Sequence, residues 1–176
     1  MPIRIVVARG LKDKDTVYRL RHQVFIEEEQ RFDHPEDRLF DRFDCLDETL
    51  NLLAYHGTTP VATMRLTLAN PVGLPCSEFF DFGPAVKALD GGVAAIGWLC
   101  CLQQYRRHPG LIAGMFKLCV RKIRQGGNRH MISTVHPPVV PLLRNFGAKP
   151  VGEVFVAKGL NVPMQPVHCD FDRFPP

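Results

Sequence analysis

The chain has 176 residues, of which 45% are hydrophobic and 23% charged, the composition of a globular protein with a core of its own. Lysine and arginine outnumber aspartate and glutamate by 22 to 18, a net charge too small to indicate nucleic-acid binding but suited to anionic small molecules or an acidic protein partner. No apolar run approaches the ~20 residues of a membrane-spanning helix, and the start of the chain lacks the pattern of a signal peptide, so we expect a cytoplasmic protein.

Seven β-rich or apolar runs predict strands. In chain order they are Ile3–Ala8, Leu50–His56, Val61–Leu68, Val93–Leu102, His130–Val135, Val151–Ala157 and Val167–Phe171. The second and third are joined by Gly57–Pro60, a hairpin signal. Arg31–Glu48 is charged and predicts a loop.

Four segments predict helices between these strands. They begin near Thr16, Pro84, Gly110 and Pro138 and end near Glu27, Leu89, Gln125 and Phe146. Asp13 or Asp15 is placed to cap the first helix. The alternation of strands and helices predicts one α/β domain over residues 1–176 around a mixed sheet.

The six cysteines show no C-x-x-C spacing and no paired histidine motif, so we expect no metal site. Three of them lie in the apolar strand and helix around residues 93–125, where a free thiol packs as a small hydrophobe.

The turn before the third helix carries candidates for phosphate binding. Arg106, Arg107 and Gly110 precede the helix directly. The first amides of a helix lack intrahelical partners and carry partial positive charge, and arginines beside them suit a phosphate or pyrophosphate. An ordinary strand–loop–helix crossover with two solvated arginines is the alternative.

This turn resembles the Q/R-x-x-G-x-G/A signature of the GNAT superfamily of acyltransferases, which binds the pyrophosphate of coenzyme A. Arg107-His-Pro-Gly110 fits the first half, and Ile112 stands where Gly or Ala is expected, with Ala113 one place later. The segment 141–153 is similar to the family's helix-to-strand junction. The resemblance spans nearly the whole chain and implies a single-domain GNAT-like fold, with a mixed, mostly antiparallel sheet of six to seven strands flanked by helices.

The resemblance also implies an acyl-CoA or acyl-carrier-protein thioester as the acyl donor. Backbone amides at the end of the fourth strand would hold its pantetheine arm, and the following turn would hold its phosphates. The residues concerned are Leu99, Cys101, Leu102, Arg106, Arg107, Gly110, Leu111 and Ile112. Lys117, Arg121 and Arg124 share a helix face that could receive an acidic carrier protein, although a solvated face is the alternative.

The N-terminal half is similar to one branch, the acyl-homoserine-lactone synthases and related N-acyl amino acid synthases. The positions that carry this similarity are Arg21, Phe25, Asp44, Asp47 and Arg65. In that branch they contact the acceptor and order an N-terminal lid, which suits the chemistry because a carboxylate holds an ammonium and a guanidinium binds a carboxylate. Autoinducer synthases carry an acid and an arginine roughly at Ala95 and Trp98, so we expect a different, amino-acid-like amine as acceptor here.

The candidates for a general base are Asp44, Asp47 and His136, acting through water. A loop-capping His136 and an inert, non-nucleophilic Cys101 are the alternatives to catalytic roles for those residues. An N-acyltransferase of a small amine is the favoured function. The alternatives are a generic GNAT N-acetyltransferase, a non-catalytic module that binds acyl-CoA or acyl-carrier protein, and a nucleic-acid-binding protein, which only the mild positive charge supports. Leu143 in place of the family's tyrosine acid and the missing acid on the fourth strand favour the module.

Overall fold

The computed structural model describes residues 2–87 and 89–171. Its strands are β1 Ile3–Ala8, β2 Thr49–His56, β3 Thr59–Thr67, β4 Gly92–Cys101, β5 Asn128–Val135, β6 Lys149–Pro150, β7 Phe155–Val156 and β8 Pro163–Asp170. The α-helices are α1 Leu11–His22, α2 Gly83–Val86, α3 Leu111–Gln125 and α4 Val140–Arg144. Gln23–Glu28 continues α1 as a π-helix, and 3-10 turns occupy Arg42–Cys45, Pro75–Glu78, Gln103–Tyr105 and Pro137–Val139. No helix within the described ranges is long and apolar enough to cross a membrane.

The chain forms two compact units, and β4 runs through both. The first takes the described residues of Met1–Leu66 and Trp98–Cys119, and the second those of Thr67–Gly97 and Val120–Pro176. The strands of the first unit are, in sheet order, β1, β2, β3 and the end of β4. Those of the second are the start of β4, then β5, β8 and β6, and β7 also pairs with β8. The β4–β5 pair is parallel, whereas β1–β2 and the three pairs of β8 are antiparallel, so the predicted mixed, mostly antiparallel sheet is confirmed.

The core of the first unit lies where the first helical segment covers strands. Val17, Leu20 and Val24 are buried in one cluster with Leu53 of β2 and Cys100 of β4. Their spacing of three and four residues places the helical members on one face, which makes the burial possible.

The start of α1 differs from the prediction. The helix begins at Leu11, and Gly10 is its N-cap residue, with no side-chain cap. Asp13 lies inside the first turn, where a carboxylate suits the helix dipole, and Asp15 pairs with Arg19 at 3.0 Å instead of capping.

The second unit holds its own small core and the main departure from the predicted strands. Cys76, Phe82, Ala95 and Ile132 form one buried cluster. Within Val151–Ala157 only Phe155–Val156 (β7) is a strand, and β6 ends at Pro150, so the predicted strand over this range is wrong. Four residues separate Pro150 from Phe155, whereas two separate their partners Val167 and Met164, so the chain bulges between the two pairs.

Candidate functional site

A buried ion pair joins the first helix to the loop that follows it. Arg21 lies in the last turn of α1, and its Nη1 and Nη2 donate to the two carboxylate oxygens of Asp44 at 2.9 and 3.1 Å. Neither side chain is exposed to solvent. The amide of Asn51, on β2, donates to Asp44 at 3.1 Å and its oxygen accepts from Arg21. A two-bond pair of this kind fixes both the distance and the plane of the two groups.

Arg65, in β3, joins the network through the same carboxylate. Its Nη1 donates to Asp44 Oδ2 at 3.1 Å and to Asp41 Oδ1. The Arg65 side chain is 3% exposed and that of Asp41 is 33% exposed, so Asp41 is the member that solvent reaches most. We call Arg21, Asp41, Asp44, Asn51 and Arg65 the ion-pair network.

The 3-10 turn Arg42–Cys45 is held by the same oxygens. Asp41 Oδ1 accepts from the amide of Phe43 at 2.9 Å, and Asp44 Oδ2 accepts from the amide of Asp41 at 3.1 Å. This reciprocal capping box satisfies amides at the start of the turn. The arginines therefore bind carboxylates that are already fixed by their own backbone.

Trp98 packs against the ion-pair network from β4. Its Nε1 donates to Asp41 Oδ2 at 3.1 Å, and its ring lies 5.2 Å from the guanidinium carbon of Arg21 and 5.8 Å from that of Arg65. The ring of Phe25 lies 5.5 Å away. Trp98 has a φ of +48°, which costs an L residue ~1–3 kcal/mol, and such strained positions cluster at functional sites.

The electrostatics of the ion-pair network keep Asp44 ionised. Burial raises the pKa of the Asp44 carboxyl, but attraction and hydrogen bonds to Arg21, with the charge of Arg65, outweigh burial and hold the pKa below its usual range. Burial lowers the pKa of Arg21, and Asp44 opposes that shift. Two guanidiniums and two carboxylates leave no net charge. Asp44 is a structural anion that is closed to solvent, and so it is a poor general base.

The structure brings together three of the five residues predicted to bind the acceptor, Arg21, Asp44 and Arg65, and places Phe25 on the ring of Trp98. Asp47 lies outside, since it is exposed and no hydrogen bond or ion pair links it to the described part of the chain. Asp41 occupies the position beside Arg65 that was expected for Asp47. The spacing Asp-x-x-Asp occurs as Asp41–Asp44 and as Asp44–Asp47, and the resemblance to the family points to the second pair. The role of these residues in acceptor binding stays a prediction.

The turn between β4 and α3 presents an available arginine. Arg107 is exposed and forms no hydrogen bond or ion pair with residues 2–87 and 89–171. Gly110 has a φ of +76°, a conformation that favours glycine, and it leads the chain into α3. At the start of α3 the amide of Leu111 donates to the carbonyl of His108 at 3.4 Å, and the amide of Gly114 donates to that of Gly110 at 2.8 Å. Among the described residues, the amides of Ile112 and Ala113 between them have no such backbone acceptor.

Arg106 is held by other groups. Its Nη2 pairs with Glu28 at 3.0 Å and with Glu29 at 2.9 Å, and its Nε donates to the carbonyl of Cys101 at 3.1 Å. The charge of Arg106 is already compensated, which leaves Arg107 as the better candidate for a donor phosphate. The amide of Leu102, another predicted donor contact, donates to the carbonyl of Val61 at 3.0 Å.

The remaining candidates differ in their surroundings. Burial raises the pKa of the Cys101 thiol to about 11, so Cys101 is not a thiolate at neutral pH.

In the second unit, His136 precedes the turn Pro137–Val139, and its carbonyl accepts from the amide of Val139 at 2.9 Å. Leu143 is buried in α4. Whether His136 is a base stays a prediction. Among the described residues, no group of three His, Cys, Asp or Glu side chains is placed to hold a metal ion.

The predicted basic face of α3 is partly engaged. Lys117, Arg121 and Arg124 are all exposed, and Arg124 also donates to the carbonyl of Phe171 at 2.7 Å.

Comparisons with known proteins give the family and the fold of the chain. A family model described as N-acyl amino acid synthase FeeM matches residues 16–170. The structure of FeeM, an N-acyl amino acid synthase from uncultured soil microbes, superposes with a TM-score of 0.81 over 98% of this chain and 92% of that chain, at 11% identity. No curated protein matches the chain.

Two further solved structures share the fold. BjaI, a CoA-dependent acyl-homoserine lactone synthase with SAM and isopentyl-CoA, has a TM-score of 0.69 over 97% of this chain and 83% of that chain, at 21% identity. A protein from Lactobacillus plantarum described as a putative N-acetyltransferase has a TM-score of 0.69 over 96% of this chain and 98% of that chain, at 18% identity.

Proposed function

Because this chain belongs to the N-acyl amino acid synthase FeeM family of acyltransferases, we propose that it moves an acyl group from a CoA or acyl-carrier-protein thioester to the amine of a small, amino-acid-like acceptor. The observation that supports the acceptor most is the ion-pair network, in which Arg21 and Arg65 fix the carboxylates of Asp44 and Asp41.

The acceptor's ammonium group binds at Asp41 in this proposal. Asp41 is the network carboxylate with solvent exposure, and Arg65 and Trp98 fix its two oxygens from the protein side. A fixed, partly buried carboxylate binds an ammonium in a better-defined orientation than a mobile surface acid does, because less side-chain freedom is lost on binding. Phe25 and Trp98 supply apolar contact beside it.

The donor's phosphates bind at Arg107 and the first amides of α3. Arg107 carries a charge that no group in the described chain neutralises, and Gly110 gives the backbone a close approach. The strand end from Leu99 to Cys101 takes the pantetheine arm. Coenzyme A and the phosphopantetheine of a carrier protein share this chemistry, so the proposal covers both donors.

The reaction forms a C–N bond and breaks a C–S bond. The deprotonated amine nitrogen attacks the thioester carbonyl, the amine proton leaves through water beside Asp41, and the departing thiolate takes a proton from solvent. No covalent acyl-enzyme is needed, which agrees with the protonated state of Cys101.

Thioester turnover by the purified protein tests this function. Acyl-CoA and acyl-carrier protein of several chain lengths are incubated with a panel of amino acids, and N-acyl product and free thiol are measured together. We expect thiol release that depends on the acceptor and equals the product formed. Binding of acyl-CoA without acceptor-dependent turnover would favour the second candidate, a non-catalytic binding module, which the buried aliphatic Leu143 supports.

A further inference from the structure

The turn that leads from β4 to α3 is capped by a residue from a distant part of the chain. Glu28 is the last residue of the π-helix, and its Oε2 accepts from the backbone amide of Gln103 at 3.0 Å, across 75 positions of sequence. The same oxygen accepts from Arg106 Nη2 at 3.0 Å. The 3-10 turn Gln103–Tyr105 has no side-chain cap of its own, since Leu102 stands at its N-cap position.

The contacts of Arg106 extend this cap along the turn. Its Nε donates to the carbonyl of Cys101, the last residue of β4, while Glu28 and Glu29 hold its Nη2. One carboxylate and one guanidinium therefore fix an amide and a carbonyl on the two sides of Leu102. A cavity of about 310 Å³ lies beside them, lined by Gln23, Glu28 and residues 102–104.

These contacts matter more for where the turn Gln103–Tyr105 lies than for the stability of the whole protein. The side chains of Glu28 and Arg106 are 21% and 40% exposed, and partly exposed ion pairs contribute little to the free energy of unfolding. A charged acceptor on a turn amide still defines where the turn lies, because the residue at the N-cap position, Leu102, cannot cap the turn with its side chain.

We propose that Glu28 is a positioning residue for the donor. Its carboxylate holds the Gln103 amide and Arg106 so that the turn presents Arg107 and the start of α3 in the geometry that binds the donor's phosphates. This inference rests on the proposed function, because the donor site that it concerns is part of that proposal. It assigns to the segment after α1 a part in shaping that site. Glu28 contacts the backbone of the turn and does not need to touch the donor.

Three variants of the full chain separate this role from an ordinary surface ion pair. Glu28→Ala removes the cap, and Glu28→Gln keeps an oxygen for the Gln103 amide while losing the charge. Glu27→Ala is the matched control, since the neighbouring Glu27 is 62% exposed and its one ion pair within the described residues is with His22, at 3.0 Å. Coenzyme A is the probe, and binding is measured by calorimetry.

We expect Glu28→Ala to weaken coenzyme A binding about tenfold, because the turn is no longer held in the binding geometry, with Glu28→Gln recovering most of the affinity through its hydrogen bond to the Gln103 amide and Glu27→Ala at the wild-type value. Hydrogen exchange at the Gln103 amide should quicken in Glu28→Ala alone. In turnover assays, the donor KM should rise while kcat stays unchanged.

The outcomes distinguish this inference from the proposed function. Wild-type affinity for coenzyme A in Glu28→Ala, or an unchanged exchange rate at Gln103, would overturn the role of Glu28 and leave the acyltransferase proposal intact. Weakening that Glu28→Gln does not reverse and that parallels a loss of folded protein would also overturn it. A wild-type protein that binds no coenzyme A and turns over no thioester would overturn both.

Discussion

Arg21 and Asp44 form a two-bond ion pair from which solvent is excluded on both sides. The pair fastens the end of α1 to the turn Arg42–Cys45, and Arg65 binds the same carboxylate from β3. Since removal of one charge leaves the others buried without compensation, the geometry of the proposed acceptor side depends on all three.

Asp44→Asn should lower the free energy of unfolding by about 3–5 kcal/mol, because it leaves two buried guanidiniums with only part of their negative charge. Urea denaturation measures the change. Asp47→Asn is the matched control and should stay within about 0.5 kcal/mol of wild type, since Asp47 is exposed. Equal stabilities for the two variants would contradict the account of the ion-pair network.

Acid should remove the stabilisation that Asp44 contributes. The folded-state pKa of Asp44 lies below its usual range, so its contribution is complete above the unfolded-state value of about 3.9 and is lost as the pH falls from there through the folded-state pKa. The free energy of unfolding, measured from pH 6 to pH 2, should therefore fall less steeply below pH 4 in Asp44→Asn than in wild type. Parallel curves would show that Asp44 is not the group that titrates.

Arg65→Lys should lower kcat/KM for the acceptor and leave the affinity for coenzyme A unchanged. Lysine keeps the charge but loses the planar guanidinium that lies beside Trp98 and binds two carboxylates. Steady-state kinetics with varied acceptor, together with calorimetry for the donor, measure the two effects. Arg4→Lys on β1 is the control, and acceptor kinetics that match it would count against an acceptor role for Arg65.

Arg107→Ala should raise the dissociation constant of coenzyme A about tenfold, the effect of losing one contact worth ~1.5 kcal/mol. Arg9→Ala removes a similar exposed charge elsewhere in the first unit and serves as the control. If both variants bind coenzyme A as wild type does, the turn before α3 is an ordinary crossover.

Cys101→Ser should retain kcat. Burial raises the pKa of the Cys101 thiol to about 11 and that of Cys100 to about 12, so neither supplies a thiolate near neutral pH. Alkylation at pH 8, followed by mass spectrometry, should label the exposed Cys45 first. Rapid labelling of Cys101 together with loss of turnover would indicate a covalent route.

The sequence predicted the order of the elements because hydrophobic periodicity and turn residues are local signals. The hairpin at Gly57, the strand before Arg106 and the helix after Gly110 all have such signals, and the structure has each of them. The strand predicted over Val151–Ala157 failed because its pairing depends on β8, and a mismatch of residues between two strands is not visible in either one.

The candidate site was less predictable than the fold, for a physical reason. Asp41–Asp44 and Asp44–Asp47 have the same spacing, and tertiary contacts separate them, since Arg65 and Trp98 bind Asp41 whereas Asp47 is exposed. The positive φ of Trp98 and the contact between Glu28 and Gln103 leave no local pattern, since both depend on partners far away in sequence. Sequence motifs therefore indicated the candidate residues, and tertiary contacts determined which candidate carboxylate and which candidate arginine solvent can reach.

The measurement that tests the central proposal most directly is mass spectrometry of lipid extracts from cells that express the protein. The account predicts new N-acyl species, present with the wild-type chain, reduced with Arg65→Lys and with Arg107→Ala, and unchanged with Asp47→Asn. Extracts without any new N-acyl species, from cells in which the folded protein is present and binds coenzyme A when purified, would contradict it.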